Sequence, residues 1–214
     1  MMAAKTPVRT DSWIAMSWNE YLDHLEEPAC RNARTFYYQG HGRFEMRPIG
    51  FGHGRNHAVV NYVVTLFCAL TAVPLQMASK TALRKSGVTE SRPDLSIWTG
   101  DKVKEISAET EIIDLNRYPV PDLIVEVADA FSLIDDIGVK RSLYESLGVA
   151  EYWIVDVKKG TVTAFEMKQV GSWRVETSQI LPNFDLSMLG EALRLSRETD
   201  QAQMGVWLLQ QFQQ

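Results

Sequence analysis

The hydrophobic positions of this chain switch repeatedly between the spacing of strands and the spacing of helices. Leu123-Ile124-Val125-Glu126-Val127-Ala128 is the most apolar block and is apolar on both faces, which predicts a central, buried strand. Leu75–Ala78, Ala82–Lys85, Pro93–Trp98 and Trp173–Glu176 read as further strands. Ala150–Val157 and Thr161–Met167 form a strand pair turned by Lys158-Lys159-Gly160. Thr35–Gln39 and Arg43–Arg47 predict a hairpin about Gly40-His41-Gly42. Val59, Val60, Val63, Val64 and Phe67 fall at helical spacing, so a buried helix is expected from about Arg55, after a glycine-rich loop over Pro48–Gly54. Ser17-Trp18-Asn19-Glu20 fits a capping box that opens a short helix to about Glu27. Another helix is expected from Asp135 or Asp136 to Leu147, closed by Gly148 and capped by one of those aspartates. Helical patterns fill Ser187–Phe212 with a break near Arg197–Asp200, and the polar stretch Thr99–Asn116 reads as a surface excursion. Strands dominate the middle and helices flank them. The expectation is one α/β domain over residues 1–214, built on a mixed β-sheet, with a helical C-terminal extension at about 185–214.

Length and composition leave that picture standing. The 214 residues suffice for a sizeable core, and 45% hydrophobic with 23% charged residues is ordinary for a globular chain. Cys30 and Cys68 form no spaced motif and read as free thiols in a reducing, cytoplasmic setting. Met1–Asp11 lacks an apolar run, so no signal peptide is expected. Ala58–Ser79 carries no charge, but Asn61, Pro74 and Gln76 interrupt it, so a core helix followed by a strand is expected rather than a membrane span. The net charge of -5 means that any binding of nucleic acid needs a local basic patch or bound cations.

Candidate chemistry begins with Glu126. Alternation places it on one strand face with Ile124 and Ala128, and an ionised carboxylate there is costly unless it is paired or holds a metal. A glutamate reaching water or an arginine from a strand end is the structural alternative. Lys140 aligns at helical spacing with Ile137, Leu143, Tyr144 and Leu147, in the middle of an apolar stripe, so it is expected to point inward towards an anion; snorkelling past the helix end is the alternative. Asp94 opens a strand after Pro93, where a turn or capping aspartate is by itself the more common reading. Asp122 follows Pro119 and Pro121 and reads as structural. Together, two carboxylates on strands and a nearby lysine suit a hard, oxygen-seeking cation and phosphodiester chemistry.

Several blocks carry a family resemblance: Arg84-Lys85-Ser86-Gly87-Val88 with Arg92-Pro93-Asp94-Leu95-Ser96, then Pro121–Val127, Asp135–Glu145, and Gly148-Val149-Ala150-Glu151-Tyr152-Trp153-Ile154-Val155-Asp156-Val157. Over residues 17–167 the chain resembles the Uma-two family of bacterial restriction-endonuclease-like proteins. The resemblance implies a PD-(D/E)xK fold and an endonuclease of DNA, with Asp94 and Glu126 as ligands of Mg²⁺ (Mn²⁺ as a substitute) and a homodimer. Ala128 stands where the superfamily pattern has lysine, and the resemblance moves that role to Lys140. Glu45, in Arg43-Phe44-Glu45-Met46-Arg47-Pro48, resembles an additional family acid, against an exposed strand residue as the alternative. His53 matches a frequent family histidine that contacts phosphate or metal-bound water, against a helix N-cap. Two other functions compete: a catalytically silent member that binds nucleic acid or protein, and a zinc hydrolase using His53 and His57, four residues apart.

Overall fold

The structure, a computed structural model, describes residues 9–46, 50–128, 132–169 and 171–213. Arg47, Pro48 and Ile49, the expected strand end and loop start, lie outside the described residues. Strand β1 (Ile14–Ala15) precedes helix α1 (Trp18–Leu25) and the hairpin β2 (Arg34–Tyr38) and β3 (His41–Glu45). Helix α2 (Phe51–Thr71) leads to β4 (Leu75–Ser79), β5 (Ala82–Lys85), β6 (Thr89–Ser91), β7 (Leu95–Thr99), β8 (Ile112–Asp114) and β9 (Leu123–Ala128). Helices α3 (Leu133–Asp135) and α4 (Arg141–Leu147) are joined by a π-helical turn, Asp136–Lys140. Strands β10 (Glu151–Asp156), β11 (Thr161–Lys168) and β12 (Gly171–Val175) and helices α5 (Ser187–Glu198) and α6 (Gln201–Phe212) complete the order.

The expected α/β class holds, but the strands divide between two sheets, ordered β1-β3-β2-β6-β5-β8 and β12-β11-β10-β9-β7-β4. In the second sheet β9 is central, parallel to β10 and antiparallel to β7, so that sheet is mixed. The helical stretch from Leu133 to Leu147 is the crossover that a parallel β9–β10 pair requires. Leu123, Val125 and Val127 pack against Val59, Val60, Val63, Val64 and Phe67 of α2 and against Leu189, Leu193, Met204 and Leu208 of α5 and α6. Each of those fully buried aliphatic side chains contributes about 1.5–3 kcal/mol. Ile124 and Ala128 take the opposite face with Leu143, Tyr144 and Tyr152, and Glu126 shares that face.

Local signals explain most elements. Ser17 Oγ accepts from the Glu20 amide at 3.3 Å while the Ser17 amide donates to Glu20 Oε2 at 2.7 Å, closing the expected capping box. Asp200 caps α6 by accepting from the Gln203 amide at 2.8 Å, which sets the break between the last two helices. The neutral run from Ala58 folds as the rest of α2 and then β4, and no described helix is long and apolar enough to cross a membrane.

Four expectations need correction. The hairpin turns at Gln39-Gly40, both with positive φ, and not over Gly40–Gly42. Gly42 is a strand residue whose missing side chain admits Met16 and Tyr21; a Cβ there would lie 2.4 Å from Met16 Sδ. Helix α2 begins at Phe51 behind Gly50, so His53 is not its cap. The crossover is helical from Leu133, and neither Asp135 nor Asp136 caps it with its side chain. Finally, polar segments hide two strands, β6 and β8. Thr89, Glu90 and Ser91 are all buried because Glu90 finds the hydroxyls of Tyr21 and Thr35 at 3.0 and 3.2 Å and a salt bridge with Arg84.

Candidate active site

The two sheets and the crossover helix meet around one cluster of buried charges. Asp94 immediately precedes β7, and its Oδ2 accepts from the Val127 amide of β9 at 2.8 Å, which fixes the carboxylate beside the central strand. Glu126 projects from β9, where Oε1 accepts from the Tyr144 hydroxyl at 2.7 Å. Glu45, at the end of β3, is 3% exposed, which removes the exposed-strand alternative. Lys140 is 0% exposed; its amine lies 3.0 Å from Glu45 Oε1, 2.9 Å from Asp136 Oδ1 and 3.8 Å from Glu126 Oε1, and 4.3 Å from the Phe36 ring centroid.

The inward lysine and its neighbours Leu143 and Tyr144 are as helical spacing led one to expect, but Ile137 is not. Ile137 is 42% exposed and Asp136 is 1% exposed. Asp136, four residues before Lys140, shares its side as helical spacing allows, while the wider repeat of the π turn rotates Ile137 out. Asp135 is drawn to Arg43 at 2.9 Å, and Arg43 also donates to Glu45 Oε1 at 3.0 Å.

Arg34 was not singled out from the sequence, yet it ties the cluster together. Its Nη1 is 2.6 Å from Asp94 Oδ1 and 3.0 Å from Glu126 Oε2, and its Nη2 is 2.7 Å from Glu45 Oε2. The signal was present in the hairpin. A two-residue turn at Gln39-Gly40 sets Arg34 opposite Glu45 across the ladder; the misplaced turn hid that pairing.

Burial pushes the Glu126 carboxyl up to about 7, against the pull of Arg34 and Lys140. At Glu45 burial pushes the same way, but Lys140, Arg34 and Arg43 outweigh it and hold the group well below the usual carboxylate range. Asp94 is likewise lowered despite burial, by Arg34 and the Val127 amide. Burial lowers His53, which lies half-buried on α2. Its ring centroid is 6.2 Å from that of His57, whose Nε2 meets the Asp94 backbone carbonyl at 3.1 Å.

The donor set suits a hard divalent cation: three carboxylates converge on one positive centre, and Asp94 Oδ1 has no aligned hydrogen bond despite its close ion pair. Among the described residues no group of three or more His, Cys, Asp or Glu is arranged to hold a metal ion as it stands. At the carboxylate cluster the Arg34 guanidinium fills the point of convergence. Among the described residues His53 and His57 gather no third His, Cys, Asp or Glu that would complete a zinc site.

This architecture is a nuclease-like α/β fold. A solved structure described as "a putative nuclease belonging to DUF820 from Anabaena variabilis ATCC 29413" superposes with a TM-score of 0.59, covering 83% of this chain and 99% of that one at 15% identity, a likeness of fold. The Uma2 family model, described as "Putative restriction endonuclease", matches residues 18–201, and the chain belongs to that family. No curated protein matches it.

Proposed function

We propose that this protein is a PD-(D/E)xK-type, metal-dependent endonuclease that hydrolyses phosphodiester bonds in DNA. The observation that carries the reading is the convergence of Asp94, Glu126 and Glu45 on one cationic centre within 3.0 Å, beside the buried Lys140. Asp94 and Glu126 would hold Mg²⁺ or Mn²⁺, with Glu45 as the additional acid. Such a cation supplies an acidified water and neutralises charge on the phosphate. The Val127 amide and the Tyr144 hydroxyl orient the two carboxylates, so no reorganisation is needed when charge develops. Lys140 has no exposed surface, so it serves as a positioning residue that holds Glu45 and offsets the charge on Glu126. With a net charge of -5 on the chain, the bound cation also attracts the phosphate backbone.

One observation favours a second reading, a catalytically silent member: Arg34 already satisfies the carboxylates. Supercoiled and single-stranded DNA incubated with the protein and Mg²⁺, Mn²⁺ or EDTA, beside Glu126→Gln, separates the two. Metal-dependent cleavage lost in the variant supports the nuclease. Absence of metal-dependent cleavage, or equal cleavage by the variant, overturns it.

A further inference from the structure

We infer that Arg34 is the resident counter-cation of the carboxylate cluster and must withdraw its guanidinium before a divalent cation can bind Asp94 and Glu126. This rests on the metal site proposed above. Nη1 stands between the Asp94 and Glu126 oxygens, at 2.6 and 3.0 Å, in the space where one cation could meet both. A guanidinium and a divalent ion cannot share that space.

Charge permits the same exchange. Glu45, Asp94, Glu126 and Asp136 are buried, and Asp135 joins them through Arg43. Arg43 and Lys140 leave this acidic set with an excess of negative charge, part of which Arg34 neutralises. A divalent cation in its place carries one more positive charge and offsets more of that excess.

Geometry says which cation yields. Lys140 is enclosed at 0% exposure and held by Asp136 and Glu45. The Arg34 side chain is 18% exposed, against 1–2% for its three carboxylate partners, so it alone reaches outward from the cluster. It sits at the first position of β2 on a long, flexible stem, and outside the cluster its planar fork suits a phosphodiester. The resting protein is therefore closed to metal by its own side chain, and metal affinity is set by competition with an internal cation.

The test is Mn²⁺ binding to the full chain without nucleic acid, followed by calorimetry and by the electron paramagnetic signal of free Mn²⁺. Wild type is compared with Arg34→Ala, Arg34→Lys and Glu126→Gln. Arg34→Ala should bind Mn²⁺ about tenfold more tightly than wild type or better. Millimolar methylguanidinium should weaken Mn²⁺ binding to Arg34→Ala competitively and leave wild type unchanged. If Arg34→Ala does not fold, Arg34→Lys, whose single ammonium cannot bridge all three carboxylates, should show a smaller gain in the same direction. Equal or weaker Mn²⁺ binding after replacement of Arg34, with wild type binding normally, overturns this inference and leaves the metal site standing. Failure of every form to bind Mn²⁺, or binding undiminished by Glu126→Gln, overturns both.

Discussion

Strands β9 and β10 run side by side at the centre of one sheet, and each buries a glutamate completely, but the two carboxylates are satisfied by different means. Glu151, at the start of β10, accepts from the Gln179 and Ile180 amides at 2.6 and 3.2 Å and from the Trp153 indole nitrogen. Its donors are neutral and fixed in the backbone or in a packed ring. That arrangement staples the segment before α5 to the sheet and leaves nothing to exchange. Glu126, further along β9, meets a tyrosine hydroxyl and two cations on long side chains, Arg34 and Lys140. A carboxylate satisfied by neutral, immobile donors is structural; one balanced in part by a cation on a movable stem, as Glu126 is by Arg34, can trade it for another cation. Burial and residue type are identical in the two glutamates, so only the partners tell them apart.

That contrast can be broken most severely through activity. Glu126→Gln should lower metal-dependent cleavage by about 10³-fold, the scale for losing a group that stabilises developing charge. Glu151→Gln should leave the rate nearly unchanged at temperatures where it is folded; comparable losses in single-turnover cleavage would erase the distinction. Next in size is Lys140→Met. It leaves Glu45 and Asp136 buried without their shared cation and should cost about 3–5 kcal/mol in urea unfolding. Glu151→Ala leaves three donors without their acceptor and should cost about 3 kcal/mol, with no change in Mn²⁺ affinity.

The smallest effect is on pH dependence. Burial raises the Glu126 carboxyl from 4.5 to about 7, so the folded state retains a proton that the unfolded chain releases. The associated stability is complete below 4.5 and is lost as pH rises through about 7. In EDTA, wild type should therefore lose on the order of 2 kcal/mol more than Glu126→Gln between pH 5 and 8. Parallel pH profiles for the two proteins would show that Glu126 is fully ionised in the fold.

Much of the fold was legible because its signals are local. Alternation in Leu123–Ala128 gave the central strand and the face of Glu126, and the spacing of Val59–Phe67 gave the buried side of α2. What misled was glycine with two uses. Gly40 supplies a positive φ in the turn, while Gly42 makes room for Met16 and Tyr21, and composition alone does not separate the two roles. The polar strand Thr89-Glu90-Ser91 was invisible because its burial depends on Tyr21, Thr35 and Arg84, contributed from elsewhere in the chain.

By itself, then, the sequence determined the mixed α/β class, the face of Glu126 and the inward direction of Lys140, since periodicity depends only on residues a few positions apart. Tertiary structure decided the company those residues keep. Arg34 and Glu126 are 92 positions apart and belong to different sheets, so only packing of the hairpin against the second sheet brings a guanidinium among the carboxylates. The π turn then rotates Ile137 out of the stripe that regular helical spacing would give it, while Asp136, four residues before Lys140, stays beside the lysine.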